Sequence, residues 1–268
     1  MPEPEALDSE KIRMHLSPVG LDLCSRIHVY DSLESTNSWL SGRLREGAAT
    51  GGEVCLAEMQ TAGRGRRGRS WNSPAGGGLY LSLAWRALRE DPDSGAATLA
   101  IGVAVADALN EIAGAQVGLK WPNDLYVDKR KLGGILVELV NRGNERYWVV
   151  GIGINLSAPQ MDPASSPRPA GLDEFWSAAA QNRNHLAGAV VDYVLQACAR
   201  YEDAGFAVLQ QRWSGYDLTR GQEIEVHTAD GRTLHGKGDG VDMRGRLRVV
   251  CAGLEYWLDA GEVSLRLS

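Results

Sequence analysis

Apolar residues alternate with polar ones, or form short runs, along most of the chain, which predicts a strand-rich domain with helices before and after it. Strands are predicted at 27–30, 54–59, 79–85, 117–121, 125–127, 134–140 and 147–154. Helical periodicity and capping residues predict helices at 36–45, 96–113, 186–201 and 206–213. The last four strands follow one another through short turns. This order predicts an α+β fold and not a βαβ repeat.

The pattern changes at Gly221, where short alternating runs replace the longer elements. These runs cover residues 223–227, 233–236, 247–250 and 256–258, and predict a small appended β-barrel. The chain is therefore expected to divide into a lead-in at 1–26, a main domain at 27–215 and a barrel at 216–268. The lead-in is expected to be weakly ordered or partly helical. Residues 157–171 contain four prolines and predict a long exposed loop.

Composition narrows the classes of protein that fit. The chain has 268 residues, 44% of them hydrophobic, and a formal net charge of −6, which predicts no general nucleic-acid-binding or membrane-binding face. Four widely spaced cysteines without a CxxC pair fit reduced thiols. The acidic start predicts no secretory signal, and no window approaches the ~18–20 apolar residues that cross a bilayer. The expected compartment is the cytoplasm.

The segment from Gly63 to Arg69 carries four arginines interspersed with glycines, in a chain that is acidic overall. Guanidinium groups are permanently charged and suit bidentate phosphate contacts, and glycines keep such a loop mobile. Alone, the segment fits a solvated basic turn, a nucleic-acid hook or a phosphate-binding loop. Its place between a strand and Trp71, which can cover a ligand, favours a closable pocket. The P-loop motif is absent, and no βαβ unit follows the formal GxGxxG spacing.

Three further segments carry candidate chemistry. Pro122 predicts a rigid corner that presents Asn123 and Asp124 as ligands for a nucleotide or Mg²⁺, although an ordinary turn fits equally well. Lys131 precedes an apolar strand and either projects into a cleft or belongs to a solvated charged turn. The glycines in the run Gly151-Ile152-Gly153-Ile154-Asn155 either line a ligand slot or permit close packing.

These segments, in this order and spacing, resemble those of biotin–protein ligases. The matching pieces are Ser35-Thr36-Asn37, the run from Glu58 to Trp71, Lys120-Trp121-Pro122-Asn123-Asp124, Arg130-Lys131-Leu132-Gly133-Gly134 and Gly151-Ile152-Gly153-Ile154-Asn155. The resemblance covers residues 27–268. It implies a class II synthetase-like catalytic domain, with a mixed sheet flanked by helices, followed by an SH3-like barrel. Too few residues precede Ile27 for the DNA-binding domain of some relatives, so the short form without operator binding is expected.

The resemblance also implies a two-step reaction. Biotin and MgATP form biotinyl-5′-AMP, and biotin then passes to a lysine of the biotin carboxyl carrier domain of a carboxylase. The residues implied to hold biotin are Ser35, Thr36, Asn37, Gln60, Gly63, Arg64, Trp71, Lys131, Gly134, Gly151 and Gly153. Those implied to bind ATP or the adenylate are Arg64, Arg66, Arg69, Trp71, Asn123, Lys131 and Asn155. Lys131, Arg66 and Asp124 are the expected catalytic residues, and Asp124 is also the expected Mg²⁺ ligand.

Other functions and assemblies stay open at this point. Lipoate and octanoyl ligases or transferases share the catalytic fold and its lysine, but lack an arginine loop of this form. A nucleic-acid-binding module that uses the arginines is an alternative that is not an enzyme. It predicts salt-sensitive affinity for DNA or RNA. Both a monomer and a homodimer fit the sequence.

Overall fold

The computed structural model describes residues 4–89, 94–159, 169–228, 232–260 and 263–267. The helices are α1 (Ser9–Met14), α2 (Pro18–Leu23), α3 (Thr36–Arg45), α4 (Ser94–Ala113), α5 (Arg183–Ala204) and α6 (Ala207–Tyr216). The strands are β1 (Arg26–Leu33), β2 (Glu53–Gln60), β3 (Gly78–Arg86), β4 (Gly118–Lys120), β5 (Asp124–Val127), β6 (Arg130–Arg142), β7 (Glu145–Asn155), β8 (Glu223–Thr228), β9 (Thr233–Val241), β10 (Leu247–Cys251), β11 (Leu254–Leu258) and β12 (Val263–Leu267).

Strands β1 to β7 form one mixed sheet in the order β1-β2-β3-β7-β6-β5-β4. β1 and β2 run parallel and are joined by α3, while the other neighbours in this sheet are antiparallel. The expected α+β class is confirmed, with a single βαβ connection at its start. Most of the predicted loop at 157–171, namely residues 160–168, lies outside the described residues.

Helices cover both faces of the large sheet. On one face α4 and α5 enclose the main core with Leu79, Leu81 and Leu83 of β3, the three leucines that the alternating pattern placed together. On the opposite face α3 packs Leu40 and Leu44 into a smaller cluster. α3 begins at Thr36, after the capping residue Ser35, and ends before Gly47 as predicted. Its first turn therefore lies over the middle of the sheet.

The central helix α4 corrects one expectation from the sequence. Its segment Gly95–Ala113 is the one helix in the described part of the chain that is long and apolar enough to cross a bilayer. The prediction that no window approaches such a length was therefore wrong. About 67% of the segment's most apolar window is buried inside the protein, because the sheet, α5 and α6 surround the helix. Length and composition thus reflect a core helix here.

Strands β8 to β12 form a second, antiparallel sheet in the order β11-β10-β9-β8-β12. This sheet is consistent with the predicted SH3-like barrel, but its described strands do not close into a ring. It contacts the main domain directly. The indole Nε1 of Trp121 donates to the carbonyl of Gly245 at 2.9 Å, and the missing side chain of Gly245 lets that turn lie against Ala96. The small sheet therefore rests beside the corner formed by Pro122.

The N-terminal segment is held to the main domain by a buried charge. The side chain of Arg183, which is 1% exposed, pairs with Glu58 at 2.6 Å and donates to the carbonyls of Glu5 (2.8 Å) and Gly78 (3.3 Å). The second carboxylate oxygen of Glu58 accepts from Leu7 N at 2.7 Å. Both α1 and α2 pack against α5. The expected weakly ordered or partly helical lead-in is thus partly helical, and its described part is packed.

Replacing Glu58 with alanine tests this arrangement. Glu58→Ala leaves the Arg183 cation buried without its carboxylate, so we expect the free energy of unfolding to fall by about 3 kcal/mol. Glu255→Ala is the matched control, because it removes one of the two carboxylate partners of Arg248, in a far more exposed pair, and is expected to cost less than about 1 kcal/mol. Urea denaturation of both variants measures the difference, and equal losses would contradict a structural role for the buried charge.

Candidate functional site

A cavity of about 470 Å³ lies under the arginine-rich segment, here called the flap (Gly63 to Trp71). Its lining comes from α3, β2, β3, β5, β6, β7, the flap and the segments next to them. Its described lining is Ser35, Thr36, Asn37, Gln60, Arg64, Gly65, Arg66, Arg69, Ser70, Trp71, Asn72, Leu81, Asn123, Asp124, Tyr126, Lys131, Gly134, Ile135, Leu136, Gly151, Ile152, Gly153, Asn155, Pro159 and Pro169. The structure thus brings nearly every residue of the predicted site into one cavity.

Glycines form the floor of the cavity on two neighbouring strands. Gly134 of β6 pairs with Gly153 of β7, and Gly151 is two residues further along. A methyl group on Gly151 would lie 2.3 Å from the amide oxygen of Asn37, and one on Gly153 would lie 2.6 Å from Trp71 Nε1. The glycines therefore both expose the floor and let Asn37 and Trp71 approach it closely.

One end of the cavity holds uncharged hydrogen-bonding groups, and the ion pair of Arg64 with Glu138 lies beside them at Asn37. Gln60 Oε1 accepts from Thr36 N at 2.9 Å, and Gln60 Nε2 donates to Ser73 Oγ at 2.9 Å. The hydroxyl of Ser82, buried in β3, lies 2.7 Å from Thr36 Oγ1 and 2.5 Å from Asn37 Oδ1. Helix α3 begins here, and two of its first backbone N–H groups already have acceptors: Thr36 N donates to Gln60, and Ser38 N donates to Ser35 Oγ at 3.4 Å. This end offers donors and acceptors to a ligand that carries polar atoms without charge.

The other end is charged. Lys131 Nζ lies 2.6 Å from Asp124 Oδ1 and 5.5 Å from the centre of the Trp71 ring. The backbone of Asn123 accepts from Ile135 N, and its side-chain Nδ2 donates to the Ile135 carbonyl at 2.7 Å, which fixes the corner before β5. Burial, with a smaller contribution from the Asp124 carboxylate, raises the pKa of Tyr126 to about 12. Tyr126 therefore lines this end as a neutral phenol at physiological pH.

The flap is folded over the cavity by short-range pairing. Bridges join Gln60 to Ser73 and Arg64 to Ser70, and Gly65 N donates to the Arg69 carbonyl at 2.7 Å. Arg67 then takes a left-handed conformation (φ 57°) inside a single 3₁₀ turn. The chain reverses in this turn, so guanidinium groups at 64, 66 and 69 line the cavity.

Arg66 connects the flap to two other parts of the protein. Its Nη1 donates to Asn123 Oδ1 at 3.1 Å, and its Nη2 donates to the carbonyl of Ala260 at the end of the small sheet. Burial, together with the nearby positive charge of Arg67, lowers the pKa of Arg66. The guanidinium of Arg66 is therefore partly buried. It lies next to Asn123, which is expected to bind the nucleotide.

Two residues of the predicted site, Gly63 and Asn155, have contacts that suggest a structural contribution. Gly63 is not among the described lining residues. A side chain there would lie 2.5 Å from the carbonyl of Trp71 and 2.8 Å from Ser73 Oγ, so Gly63 permits the two ends of the flap to pack together. Asn155 does line the cavity, and its Nδ2 donates to the Ala170 carbonyl at 3.1 Å. That bond ties the end of β7 to the segment beside Lys131, because Ala170 N donates to the Lys131 carbonyl.

Sequence reasoning missed three residues that shape the site. Ser82 and Tyr126 are described above, and Glu138 pairs with Arg64 while accepting from Asn37. A serine in the middle of the apolar run 79–85 was a usable signal. Glu138 follows Gly134 at an even interval on β6, so the period of two places both on one face.

Among the described lining residues, one carboxylate is available to bind a metal ion at the cavity. No group of three or more His, Cys, Asp or Glu side chains with metal-binding geometry occurs within the described ranges. Asp124 supplies one carboxylate at the cavity. Mg²⁺ is commonly held by one or two carboxylates plus substrate phosphates, so this single carboxylate fits a metal that arrives with a nucleotide. The arrangement as a whole accommodates a ligand with an uncharged polar end and an anionic end.

Comparisons with known proteins agree with this geometry. A model of the biotin/lipoate A/B protein ligase family matches residues 29–155. The bifunctional ligase/repressor BirA of Escherichia coli is 34% identical over 90% of this chain and 74% of its own length. The biotin–[acetyl-CoA-carboxylase] ligase of Mycobacterium tuberculosis is 32% identical over 96% of this chain and 95% of its own.

Solved structures give the same result. The biotin protein ligase from Aquifex aeolicus in complex with biotin and ATP has a TM-score of 0.79 at 27% identity, over 91% of this chain and 100% of that one. The biotin protein ligase from Leishmania major in complex with biotin has a TM-score of 0.57 at 26% identity, over 87% of this chain and 98% of that one. By fold and sequence, the chain belongs to the biotin–protein ligase family and is an enzyme of that family.

Proposed function

We propose that this protein activates biotin with ATP as biotinyl-5′-AMP and transfers the biotinyl group to a lysine of a biotin carboxyl carrier domain. The observation that carries this proposal is that Lys131 and the flap arginines line the same cavity as the neutral cluster around Gln60. Biotin has an uncharged ureido ring at one end and a carboxylate at the other. The two ends of the cavity match these two chemistries.

In this proposal the ureido ring binds at the neutral end. Its two N–H groups and its carbonyl require both acceptors and donors, and Ser35, Thr36, Asn37 and Gln60 supply them. Gly151 and Gly153 leave space for a flat ring against the sheet. Trp71, over the floor, covers the ligand and excludes water. Exclusion of water matters because an acyl-adenylate is hydrolytically vulnerable.

The first step joins two anions. An oxygen of the biotin carboxylate attacks the α-phosphorus of ATP, the new C–O–P linkage forms, and the bond to the β-phosphate breaks to release pyrophosphate. At 4 Å two unit charges repel by ~1 kcal/mol in water but by ~4 kcal/mol at an effective dielectric constant of 20. The ammonium group of Lys131, placed between them, offsets this repulsion and stabilises the charge that develops. Arg66 and Arg69 stabilise the negative charge that develops on the departing pyrophosphate.

The second step needs a neutral amine. The ε-amino group of the carrier lysine attacks the carbonyl carbon of the adenylate, an amide forms, and AMP leaves. Asp124, which lies 2.6 Å from Lys131 Nζ, is placed to accept the proton that the amine loses. Asn123, held by Ile135, keeps Asp124 and Arg66 on the same side of the cavity.

Mg²⁺ is proposed to enter with ATP. When bound, it supplies positive charge to the phosphate oxygens. Asp124 is the residue of this chain proposed to hold it, on the carboxylate chemistry described above. Cytoplasmic location is also proposed, supported by four cysteines that are all free in the structure. Monomer and homodimer stay equally open, and the absence of nucleic-acid and membrane binding stays a prediction.

The choice of acid substrate tests the proposal as a whole. We expect the purified protein to catalyse ATP–pyrophosphate exchange with biotin but not with lipoate, because lipoate lacks the ureido groups that the neutral end would satisfy. Exchange measured with each acid at equal concentration decides between them. Faster exchange with lipoate would assign the chain to the related lipoate enzymes instead.

The role of Lys131 is tested by its removal. Lys131→Ala is expected to lower biotin-dependent exchange by about 100-fold or more, because a preorganised charge at the reacting centre is lost. Lys129→Ala is the control, since Lys129 is an exposed lysine two residues away. Near-normal exchange in Lys131→Ala would remove this lysine from the chemical step.

The role of Asp124 is tested in the second step alone. With preformed biotinyl-5′-AMP and a carrier domain, Asp124→Asn is expected to slow transfer by about 100-fold, the lower range for a general base. Asp128→Asn, in the exposed turn after β5, serves as the control. Single-turnover transfer measures both variants, and an unchanged rate for Asp124→Asn would contradict its role as proton acceptor.

A further inference from the structure

One carboxylate links two walls of the cavity that come from separate parts of the chain. Glu138 Oε1 forms an ion pair with Arg64 of the flap, and Glu138 Oε2 accepts from Asn37 Nδ2 at 2.9 Å. Arg64 follows β2, whereas Asn37 lies in the first turn of α3. Each carboxylate oxygen therefore has a different partner, and both partners line the cavity.

Glu138 lies beside the cavity floor and outside the cavity itself. On β6 it follows Gly134 and Leu136 at intervals of two, so the three share one face of the sheet. Leu136 pairs with Gly151 across β7, and Glu138 pairs with Val149. Glu138 is not among the described residues that line the cavity. It therefore acts on a ligand through other side chains.

The carboxylate determines how Asn37 is oriented. An ionised carboxylate only accepts hydrogen bonds, so it requires the Nδ2 group of Asn37 to face it. The amide oxygen then points to the hydroxyl of Ser82, 2.5 Å away. With this amide orientation, Asn37 Oδ1 packs over Gly151 on the floor. The carbonyl of Leu136 also accepts from Asn37 Nδ2, at 3.4 Å, so loss of Glu138 leaves the amide with the longer of its two acceptors and weakens its preferred orientation.

The same carboxylate fixes the start of the flap. Arg64 is the first cation of the flap, and the flap's own pairing joins it only to Ser70. A long side chain that is 44% exposed loses its order readily unless a partner holds it. The pair with Glu138 ties the flap to the rigid strand β6, on the same floor that the flap covers.

We infer that Glu138 is a positioning residue, which holds Arg64 and Asn37 together and so sets the wall and the flap for biotin. The link to biotin rests on the proposed function, whereas the anchoring of the flap does not. Since Glu138 acts before any bond changes, its loss should weaken biotin binding and leave the chemical step nearly unchanged.

The experiment compares Glu138→Ala and Glu138→Gln with a matched control. Glu145→Ala removes a carboxylate with the same 32% exposure, paired with Arg86 and Arg142, at the far end of the β6–β7 hairpin. The first readout is trypsin cleavage of the flap without ligand. Glu138→Ala is expected to be cut about fivefold faster than the unaltered protein, and Glu145→Ala at the same rate.

The second readout separates KM for biotin from kcat. Glu138→Ala is expected to raise KM about tenfold and to change kcat by less than about twofold. Glu138→Gln keeps an acceptor for Asn37 but loses the charge that faces Arg64. Its KM for biotin is expected to lie between those of the unaltered protein and Glu138→Ala. In the Arg64→Ala background, the additional effect of Glu138→Ala on flap cleavage is expected to disappear, because the pair is already broken.

Three results would overturn the inference: unchanged flap cleavage in both Glu138 variants, an equal change in Glu145→Ala, or a loss confined to kcat. Failure of the unaltered protein to form biotinyl-5′-AMP would instead reject the proposed function. In that case the ligand-free cleavage comparison still decides whether Glu138 anchors the flap. Glu138→Gln, the isosteric change, keeps the cleavage test available if Glu138→Ala does not fold.

Discussion

The site depends on keeping several cations at close quarters before any anion arrives. Like charges repel, and burial raises the free energy of each charge, so every cation at the cavity needs an internal partner. Lys131 has Asp124, Arg64 has Glu138, and Arg66 has the Asn123 amide and the Ala260 carbonyl. Arg69 Nε lies 3.5 Å from the Arg66 carbonyl. These acceptors hold the cations in the cavity. When an anionic ligand binds, it replaces these internal acceptors as the partner of the cations. Folding has already removed part of the water around the cations.

The large sheet makes this arrangement possible because it supplies a hydrogen-bonded floor beneath the cavity. β6 and β7 run through the middle of the sheet and are the most extensively paired strands in it. Gly134, Gly151 and Gly153 have no side chains that would fill the space between the floor and α3 or the flap. α4 and α5 support the opposite face. The flap therefore lies over a surface that is supported by strand pairing and by the helices behind it.

The sequence predicted the site better than it predicted the contacts within it. The segments that resemble those of biotin–protein ligases contain Lys131, Asn123 and the glycines, because each of these residues belongs to a short contiguous motif. Glu138 was missed because its partners are distant in the chain, with Asn37 101 residues away, and periodicity reports faces without reporting neighbours. The acceptor for Arg66 is a backbone carbonyl, which no side-chain pattern reveals. The apolar length of α4 was misjudged, since small residues such as alanine dilute its hydrophobic signal. The Mg²⁺ site stays a prediction.

The bond from Arg66 to the Ala260 carbonyl joins the flap to the small C-terminal sheet, which could otherwise pass for a passive appendage. Movement of Arg66 away from the cavity would break that bond, so the position of the flap is coupled to the position of the small sheet. Thermodynamic linkage makes this dependence reciprocal: whatever docks on the sheet biases the flap, and whatever closes the flap biases docking. A shift of the small sheet therefore removes one of the two hydrogen bonds that hold the Arg66 guanidinium at the cavity.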